Sequence, residues 1–377
     1  MRTAPRGPSP QEKRLAAYGE GLAKAAGHRD REEPLKDYCR DLLLPGERKS
    51  VEPMAARLHP ERVQAARRSL HHRVAKAPWS DEAVLAAVRV QVLPARTRRQ
   101  PIVAWIVDET ALPKKGRHSV GVARQYCGQL GKQENGQVAV TLSVATWQAS
   151  LLVARRLYLV RVWAEDGARR KKAGVPEPVK FQTKPKVALE QIRQAVAAEL
   201  PRGVALAEAG YGEGTHFRGG LSELDLPCVV GVLSTTSAGR PGQEPRPAKA
   251  RGREDRPPKL LRRSPDPRRL SVRQLDVHTG EKALAGVSWR EGTRKKLPSR
   301  FVAVRVRSVR RDSWRAEHTR NCGCWPSGRA ALPNPPSASC GTAAGDPAQG
   351  VRAVGQVPLG RGARLLGTQA RGGLGAL

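Results

Sequence analysis

Hydrophobic residues in the first hundred positions recur every three or four residues, which is the spacing of one face of a helix. Leu15, Tyr18 and Leu22 follow this spacing, and similar patterns continue further along the segment. A later helix is predicted in "SDEAVLAAVRVQVL", because Ser80 is a suitable N-cap and two acids follow it in the first turn. Residues 1–98 are therefore predicted to form a helical domain.

After residue 98 the pattern changes to short runs of β-forming residues. The runs are "PIVAWIVDE", "SVGVARQYC", "QVAVTLSVATW" and "LLVARRLYL", and polar turns separate them. "KVALEQIRQAVAAEL" then places its apolar residues on one helix face, and the strands "GVALAE" and "PCVVGVLST" flank a helix around "GTHFRGGLSEL". With three or four strands at its start, residues 99–237 have the predicted order β-β-β-α-β-α-β. This order favours an α/β fold with a ribonuclease H-like mixed sheet.

The rest of the chain differs in composition. Residues 238–318 contain a basic, proline-rich loop, followed by alternating segments such as "RFVAVRVRSV" that predict a β-rich insertion. Residues 319–377 contain twelve glycines but no Lys, Glu, Ile, Phe, Tyr or Met, and no regular period. We expect this tail to be disordered. Its abrupt start is what a GC-rich gene read in a shifted frame would produce, so we expect the tail to be out of frame.

The charge of the chain indicates the kind of partner. Its 68 Lys and Arg residues against 34 Asp and Glu residues give a net charge of +34, which favours a polyanion and first of all nucleic acid. The alternative is that the high arginine content reflects the codons of a GC-rich gene and is unrelated to function. No apolar run approaches the roughly 20 residues that span a bilayer, and the N-terminus lacks a hydrophobic signal segment. A cytoplasmic protein without a membrane partner is expected.

Two carboxylates mark the candidate chemistry. Asp108 ends the apolar run in "WIVDET", and Glu208 ends "VALAE". In a ribonuclease H-like sheet the ends of the first and fourth strands meet at one edge, where two carboxylates repel each other unless a divalent cation lies between them. Two Mg²⁺ or Mn²⁺ ions held there would activate a water or a 3′-hydroxyl for phosphodiester displacement. We expect Gly210 and Gly212 to turn the backbone away from this site. Each acid alone has a simpler interpretation, a strand end that reaches solvent.

The segment "WIVDETALPKKGRHSVGVARQYCGQLGKQENGQVAVTLSV" resembles the first catalytic segment of bacterial insertion-sequence transposases of the DDE superfamily. That family has a strand, Asp, a second acid and Thr, followed by Phe-Pro-Lys-Lys-Gly. "WAEDGARRKKAGVPEPVKFQTKP" and "ALEQIRQAVAAELPRGVALAEAGYGEGTHFRGGL" match the same family in the same order. The resemblance covers residues 10–317.

The resemblance implies a function and its partners. It implies metal-dependent cleavage and strand transfer of an insertion sequence, with a two-metal site for Mg²⁺ or Mn²⁺ in an intact member. It also implies that the partner is double-stranded DNA, both at the element ends and at the target. The protein would then be associated with the nucleoid, and its N-terminal helices would be of a DNA-binding type. A homodimer on DNA is compatible with this function.

Individual roles also follow from the resemblance. Asp108 corresponds to the first catalytic acid and metal ligand, and Glu109 either substitutes for it or shapes the local field. Glu208 takes the position of the second catalytic acid and metal ligand, where the family has Asp.

The basic residues Lys114, Lys115 and Arg117 follow the first acid closely and are expected to bind DNA phosphates near the metals. Their alternative interpretation is a solvated basic turn.

The family's third acid is missing from its expected context. There it is a Glu on a helix with a Trp-x-x-Glu-x-x-Tyr-like pattern, whereas Glu281, Glu291 and Glu317 lie in strand-like or loop-like surroundings. We expect this copy to be truncated near residue 318 and inactive in strand transfer. The alternative function is a non-catalytic, basic nucleic-acid-binding remnant.

Overall fold

The computed structural model of the chain describes residue 7 and residues 9–46, 49–239 and 270–274. It also describes the backbone of five later strands, at residues 285–291, 296–301, 304–308, 322–328 and 338–342. The chain divides into two compact units, residues 1–100 and residues 101–377. Among the described residues, no helix is long and apolar enough to cross a membrane.

The first unit is helical, as predicted. Its helices are α1 (Pro10–Lys24), α2 (Glu32–Leu43), α3 (Val51–Leu58), α4 (Val63–Ala75) and α5 (Asp81–Thr97). Ser80 caps α5, because its hydroxyl accepts a hydrogen bond of 3.1 Å from the amide of Ala83. Helix α1 begins with a capping box, in which Ser9 and Glu12 each accept a hydrogen bond from the other's amide.

A buried ion pair joins two of these helices. Asp41 of α2 is completely buried, and its two carboxylate oxygens accept hydrogen bonds of 2.7 and 2.9 Å from Arg57 of α3. A buried carboxylate needs such a bidentate partner, since its lost hydration must be replaced. Met54 and Ala55 of α3 and Leu70 of α4 belong to a buried apolar cluster.

The second unit is built on a mixed sheet. Its first six strands are β1 (Ala104–Pro113), β2 (Ala123–Cys127), β3 (Lys132–Ala145), β4 (Ser150–Leu157), β5 (Val204–Ala207) and β6 (Cys228–Val232). Its helices are α6 (Arg161–Ala164), α7 (Gly167–Lys172), α8 (Lys184–Ala197), α9 (Ala209–Gly212) and α10 (Thr215–Glu223). The order β2-β3-β1-β5-β6, with β1 antiparallel to β3 and parallel to β5, confirms the predicted α/β class and is consistent with a ribonuclease H-like fold.

Four strands precede the helices, one more than the predicted order contains. Strands β2 and β4 both pair with β3 on the side away from β1, β2 along residues 132–136 and β4 along residues 139–145. The two short strands therefore share one position in the sheet. This sharing explains how an extra strand fits without displacing β5 from its place beside β1.

The sheet extends beyond β6. The further strands are β7 (Ser237–Gly239), β8 (Leu270–Ser271), β9 (Ala285–Glu291), β10 (Lys296–Phe301), β11 (Val304–Ser308), β12 (Cys322–Gly328) and β13 (Ala338–Thr342). They confirm strands in the alternating segments of residues 238–318, such as "RFVAVRVRSV". Most of the predicted basic loop lies outside the described residues.

Two segments of residues 319–377 are described, the strands β12 and β13. Strand β13 pairs antiparallel with β6, and β12 pairs with β13. Ladder hydrogen bonds are made by the backbone, so an open strand edge can pair with a chain that has no side-chain periodicity. The rest of the tail lies outside the described residues.

Candidate active site

Asp108 in β1 and Glu208, the residue that follows β5, occupy equivalent positions relative to the pairing of these two parallel strands. Ile106 of β1 pairs with Leu206 of β5, and each acid lies two residues further along its chain. Side chains two residues apart in a strand share a face, so the register directs both acids to the same face of the sheet. Asp108 is not at the predicted strand end, because β1 continues to Pro113, whereas Glu208 directly follows the end of β5.

The surroundings of Asp108 disfavour its charged form. Partial burial, and to a smaller extent the negative charge of Glu109, raise the pKa of this carboxyl to about 6. The opposing influence is a hydrogen bond of 2.7 Å that the Asp108 carboxylate accepts from the backbone amide of Glu109. On the neighbouring strand, the hydroxyl of Thr141 donates to the carbonyl of Asp108 at 3.0 Å and fixes the backbone there.

Glu208 is the N-cap residue of α9 and is accessible to solvent at the end of β5. The surrounding protein nevertheless removes part of its carboxylate's hydration, which raises the pKa of Glu208 to about 7. The negative charges of Asp108 and Glu109 contribute the smaller parts of this shift. The charge of Asp108 thus acts on Glu208, as expected for carboxylates that lie near each other.

This pair fits a divalent cation in part. Carboxylate oxygens are the ligands that Mg²⁺ and Mn²⁺ prefer, and two acids whose charged forms repel are stabilised by a cation between them. Asp108 and Glu208 each carry one carboxylate of this kind. Within the described part of the chain, no group of three or more His, Cys, Asp or Glu side chains is arranged to hold a metal.

Of the three glutamates considered as a third acid, the structure describes only the backbone of Glu291. Glu281 and Glu317 lie outside the described residues, and Glu291 is the last residue of strand β9. No helix carries any of the three in the described residues.

Glu109 has a different environment from Asp108, because adjacent residues of a strand point to opposite faces. One of its carboxylate oxygens lies 2.5 Å from Nζ of Lys184, and the other accepts a hydrogen bond of 3.0 Å from the hydroxyl of Tyr211. The same ammonium lies 5.3 Å from the ring centroid of Tyr158. Both carboxylate oxygens of Glu109 therefore have partners on the face of the sheet opposite the acid pair. This arrangement is suited to shaping the electrostatic field around the pair.

Lys184 and Tyr211 are site residues that the sequence patterns did not single out. Lys184 is the first residue of α8, and Tyr211 is a buried residue of α9. Burial and the nearby charge of Glu109 raise the pKa of the Tyr211 hydroxyl, so this group stays protonated and acts as a donor. Lys184 lies in "FQTKP" and Tyr211 in "EAGYG", and both segments belong to stretches that resemble the family. This resemblance was the signal that could have identified the two residues.

The glycines after Glu208 have a packing role. A methyl group at Gly212 would collide with the carbonyl oxygen of Gly231 and with Val230 on β6. Gly210, in contrast, has open space around it. Gly212 therefore lets α9 lie directly against β6, whereas we expected it to turn the backbone away from the site.

Lys114, Lys115 and Arg117 lie in an exposed loop that follows β1. The loop is held by Asn135, whose side-chain amide donates to the carbonyls of Lys114 and Gly116 at 2.6 and 3.0 Å. Lys114 follows Asp108 by six residue steps of extended chain, which places the start of the loop roughly 20 Å from Asp108.

Comparisons with known proteins indicate the family of the chain. A family model described as DDE superfamily endonuclease matches residues 21–296, a range that contains both acids. The chain is also 32% identical over 166 residues to the "Probable transposase for insertion sequence element IS701" of Microchaete diplosiphon. That alignment covers 44% of this chain and 40% of the relative, so the chain spans less than half of the relative's length. The transposase-like motifs are confirmed, and the chain belongs to the DDE superfamily of endonucleases.

Proposed function

We propose that this protein is an insertion-sequence transposase by descent, which acts on double-stranded DNA through the acid pair Asp108 and Glu208. The observation that carries the proposal is the register of β1 and β5, which brings these two acids to one face of the sheet. Cleavage at the element ends and joining of the 3′-hydroxyl to target DNA are the reactions that the family supports.

Asp108 and Glu208 are the residues that would hold the divalent cation, Mg²⁺ or Mn²⁺. When bound, such a cation stabilises charge on a phosphodiester and promotes ionisation of an attacking hydroxyl. Asp108 provides a carboxylate whose position is fixed by the Glu109 amide and by the pairing of β1 with β3. Glu208 provides a second carboxylate at the start of α9.

Two features lower the expected activity. Glu208 carries one more methylene than the family's Asp, which displaces its carboxylate by about 1.5 Å, and Mg²⁺ requires nearly octahedral geometry. Misplacement of a reacting group by about 1 Å can cost on the order of a hundredfold in rate. The family's third acid also has no counterpart in the described residues. We therefore propose that strand transfer by this copy is very weak or absent.

The second candidate function is non-catalytic binding of nucleic acid. The net charge of +34 favours it, since basic residues contact phosphates whether or not the acids are competent. Lys114, Lys115 and Arg117 are exposed and suited to such contacts. Association with the nucleoid, and with a second copy on DNA, would follow from either function.

Nicking of supercoiled plasmid in Mg²⁺ or Mn²⁺ separates the two functions. We expect the wild type to nick very slowly and Glu208→Asp, which restores the family's acid, to nick faster. Asp108→Asn should abolish the cutting seen in either background, while plasmid binding persists. Rapid wild-type cutting that requires Asp108 would overturn the proposed inactivity. Cutting that is indifferent to Asp108→Asn would overturn the assignment of the site.

A further inference from the structure

A second basic segment lies beside the loop of Lys114 and Arg117, although some 50 residues separate the two in sequence. This segment is helix α7, with the sequence "GARRKK". The guanidinium of Arg169 in α7 donates a hydrogen bond of 2.6 Å to the carbonyl of Arg117. The contact places the two basic segments side by side on the second unit.

The position of α7 is fixed by its neighbours. The Arg169 guanidinium stacks over the buried ring of Trp163, 3.7 Å from the ring centroid. Asp166 caps the helix by accepting a hydrogen bond of 2.9 Å from the Arg169 amide. Arg170 donates to four backbone carbonyls, those of Ala164, Pro176, Glu177 and Val179. Arg169 and Arg170 are therefore committed to holding the structure together.

The remaining cations of the two segments are available. Lys171 and Lys172 of α7 are exposed, as are the three basic residues of the loop after β1. None of the five has an acidic partner within 4 Å among the described residues. These five residues define the basic surface: Lys114, Lys115, Arg117, Lys171 and Lys172.

We propose that the basic surface binds the backbone of duplex DNA that flanks the cleavage position, and that Lys171 and Lys172 contribute phosphate contacts of their own. The proposal rests on the proposed function for the location of the cleaved phosphate. The loop after β1 lies roughly 20 Å from Asp108 along the extended strand. At 3.4 Å per nucleotide this corresponds to about six nucleotides of flanking DNA.

The chemistry of the basic surface favours a duplex over a single strand. Proteins that bind single strands combine basic grooves with exposed aromatic side chains on which bases stack. The basic surface has lysine and arginine only, and the nearby Trp163 is buried beneath Arg169. Lysines act as mobile point charges toward phosphate, and such contacts position DNA without reading its sequence.

The salt dependence of binding tests this inference. A fluorescein-labelled duplex of about 30 base pairs is titrated with protein between about 50 and 200 mM salt, and affinity is followed by anisotropy. For Lys171→Gln/Lys172→Gln we expect the slope of log affinity against log salt to decrease by about 1.8, since each phosphate contact contributes about 0.9. The loss of affinity over that salt range should be about tenfold smaller than in the wild type.

A matched control is Arg193→Gln/Arg202→Gln, which also removes two exposed cations of the second unit. Arg193 lies towards the end of α8 remote from Lys184, and Arg202 precedes β5 at the end opposite Glu208. We expect its slope to equal that of the wild type. Thermal unfolding checks that both variants fold. Because the substitutions are at exposed positions, we expect the midpoint temperature of unfolding to stay unchanged.

The outcomes separate this inference from the proposed function. If Lys171→Gln/Lys172→Gln keeps the wild-type slope while Lys114→Gln/Lys115→Gln reduces it, α7 does not bind DNA and the inference is overturned. A larger effect on a single strand of the same sequence than on the duplex would also overturn it. Neither result bears on cation binding by Asp108 and Glu208, which is measured without DNA and on which the proposed function depends.

Discussion

The hydroxyl of Tyr211 donates a hydrogen bond of 3.0 Å to the carboxylate of Glu109. This contact ties α9, which begins directly after Glu208, to the residue that follows Asp108 on β1. The relative position of the two acids therefore depends on the register of the sheet and on a side-chain contact on its opposite face.

Removal of this hydroxyl should lower stability. Because a hydrogen bond to a charged group contributes about 1.5 to 3 kcal/mol, we expect Tyr211→Phe to reduce the free energy of unfolding by a similar amount. Tyr158→Phe is the matched control, since the hydroxyl of Tyr158 has no hydrogen bond among the described side chains. Urea denaturation measures both. Equal stability of wild type and Tyr211→Phe would show that the contact contributes nothing.

The acid pair should make stability depend on pH in the absence of divalent cations. Folding raises the pKa of Asp108 to about 6 and that of Glu208 to about 7, from ordinary values of 3.8 and 4.5. The folded state therefore holds these protons more tightly than the unfolded state. Their contribution to stability is present below about pH 4 and is lost as the pH rises through 6 and 7.

Comparison with the double variant Asp108→Asn/Glu208→Gln isolates this contribution. In EDTA, the stability of the variant relative to the wild type should be greater at about pH 8 than at about pH 5. Urea denaturation at the two pH values measures the difference. A relative stability that does not change with pH would contradict the raised pKa values.

The close contact of α9 with β6 predicts different effects at two neighbouring glycines. Gly212→Ala should reduce the free energy of unfolding by about 1 to 3 kcal/mol, because its methyl group would collide with the Gly231 carbonyl. Gly210→Ala should be neutral or stabilising by up to about 1 kcal/mol, since the space around it is open. Unfolding of both variants at the same urea concentration would contradict the close packing of α9 against β6.

The buried ion pair of the first unit predicts a large effect from one substitution. Arg57→Met would leave the buried carboxylate of Asp41 without its bidentate partner, at a cost of about 3 to 5 kcal/mol. Arg40→Met removes an exposed arginine beside Asp37 and should change stability by less than about 1 kcal/mol. Thermal unfolding compares the two, and a small effect of Arg57→Met would mean that Asp41 is hydrated.

Local patterns were sufficient to predict the strands that carry the acids. "WIVDET" and "VALAE" each combine an apolar run with a terminal acid, and parallel pairing then requires the two acids to meet. The helical first unit and the cap at Ser80 were predicted from the same kind of local information, since helix spacing and capping involve residues close in sequence.

Contacts between remote segments could not be predicted in this way. Lys184 and Tyr211 lie 75 and 102 residues from Glu109, and neither belongs to a pattern that reveals a partner. The sharing of one sheet position by β2 and β4 depends on the length of β3, and the pairing of β13 with β6 depends on backbone groups alone. These features arise from tertiary structure.

The central claim, that Asp108 and Glu208 jointly hold a divalent cation, is tested most directly by Mn²⁺ binding. Electron paramagnetic resonance measures free Mn²⁺ in the presence of wild type, Asp108→Asn and Glu208→Gln. Glu223→Gln serves as the control, because this acid is exposed on α10 and pairs only loosely with Arg193. The account predicts binding by the wild type and the control, and at least about tenfold weaker binding by both site variants. Equal Mn²⁺ affinity in all four proteins would contradict it.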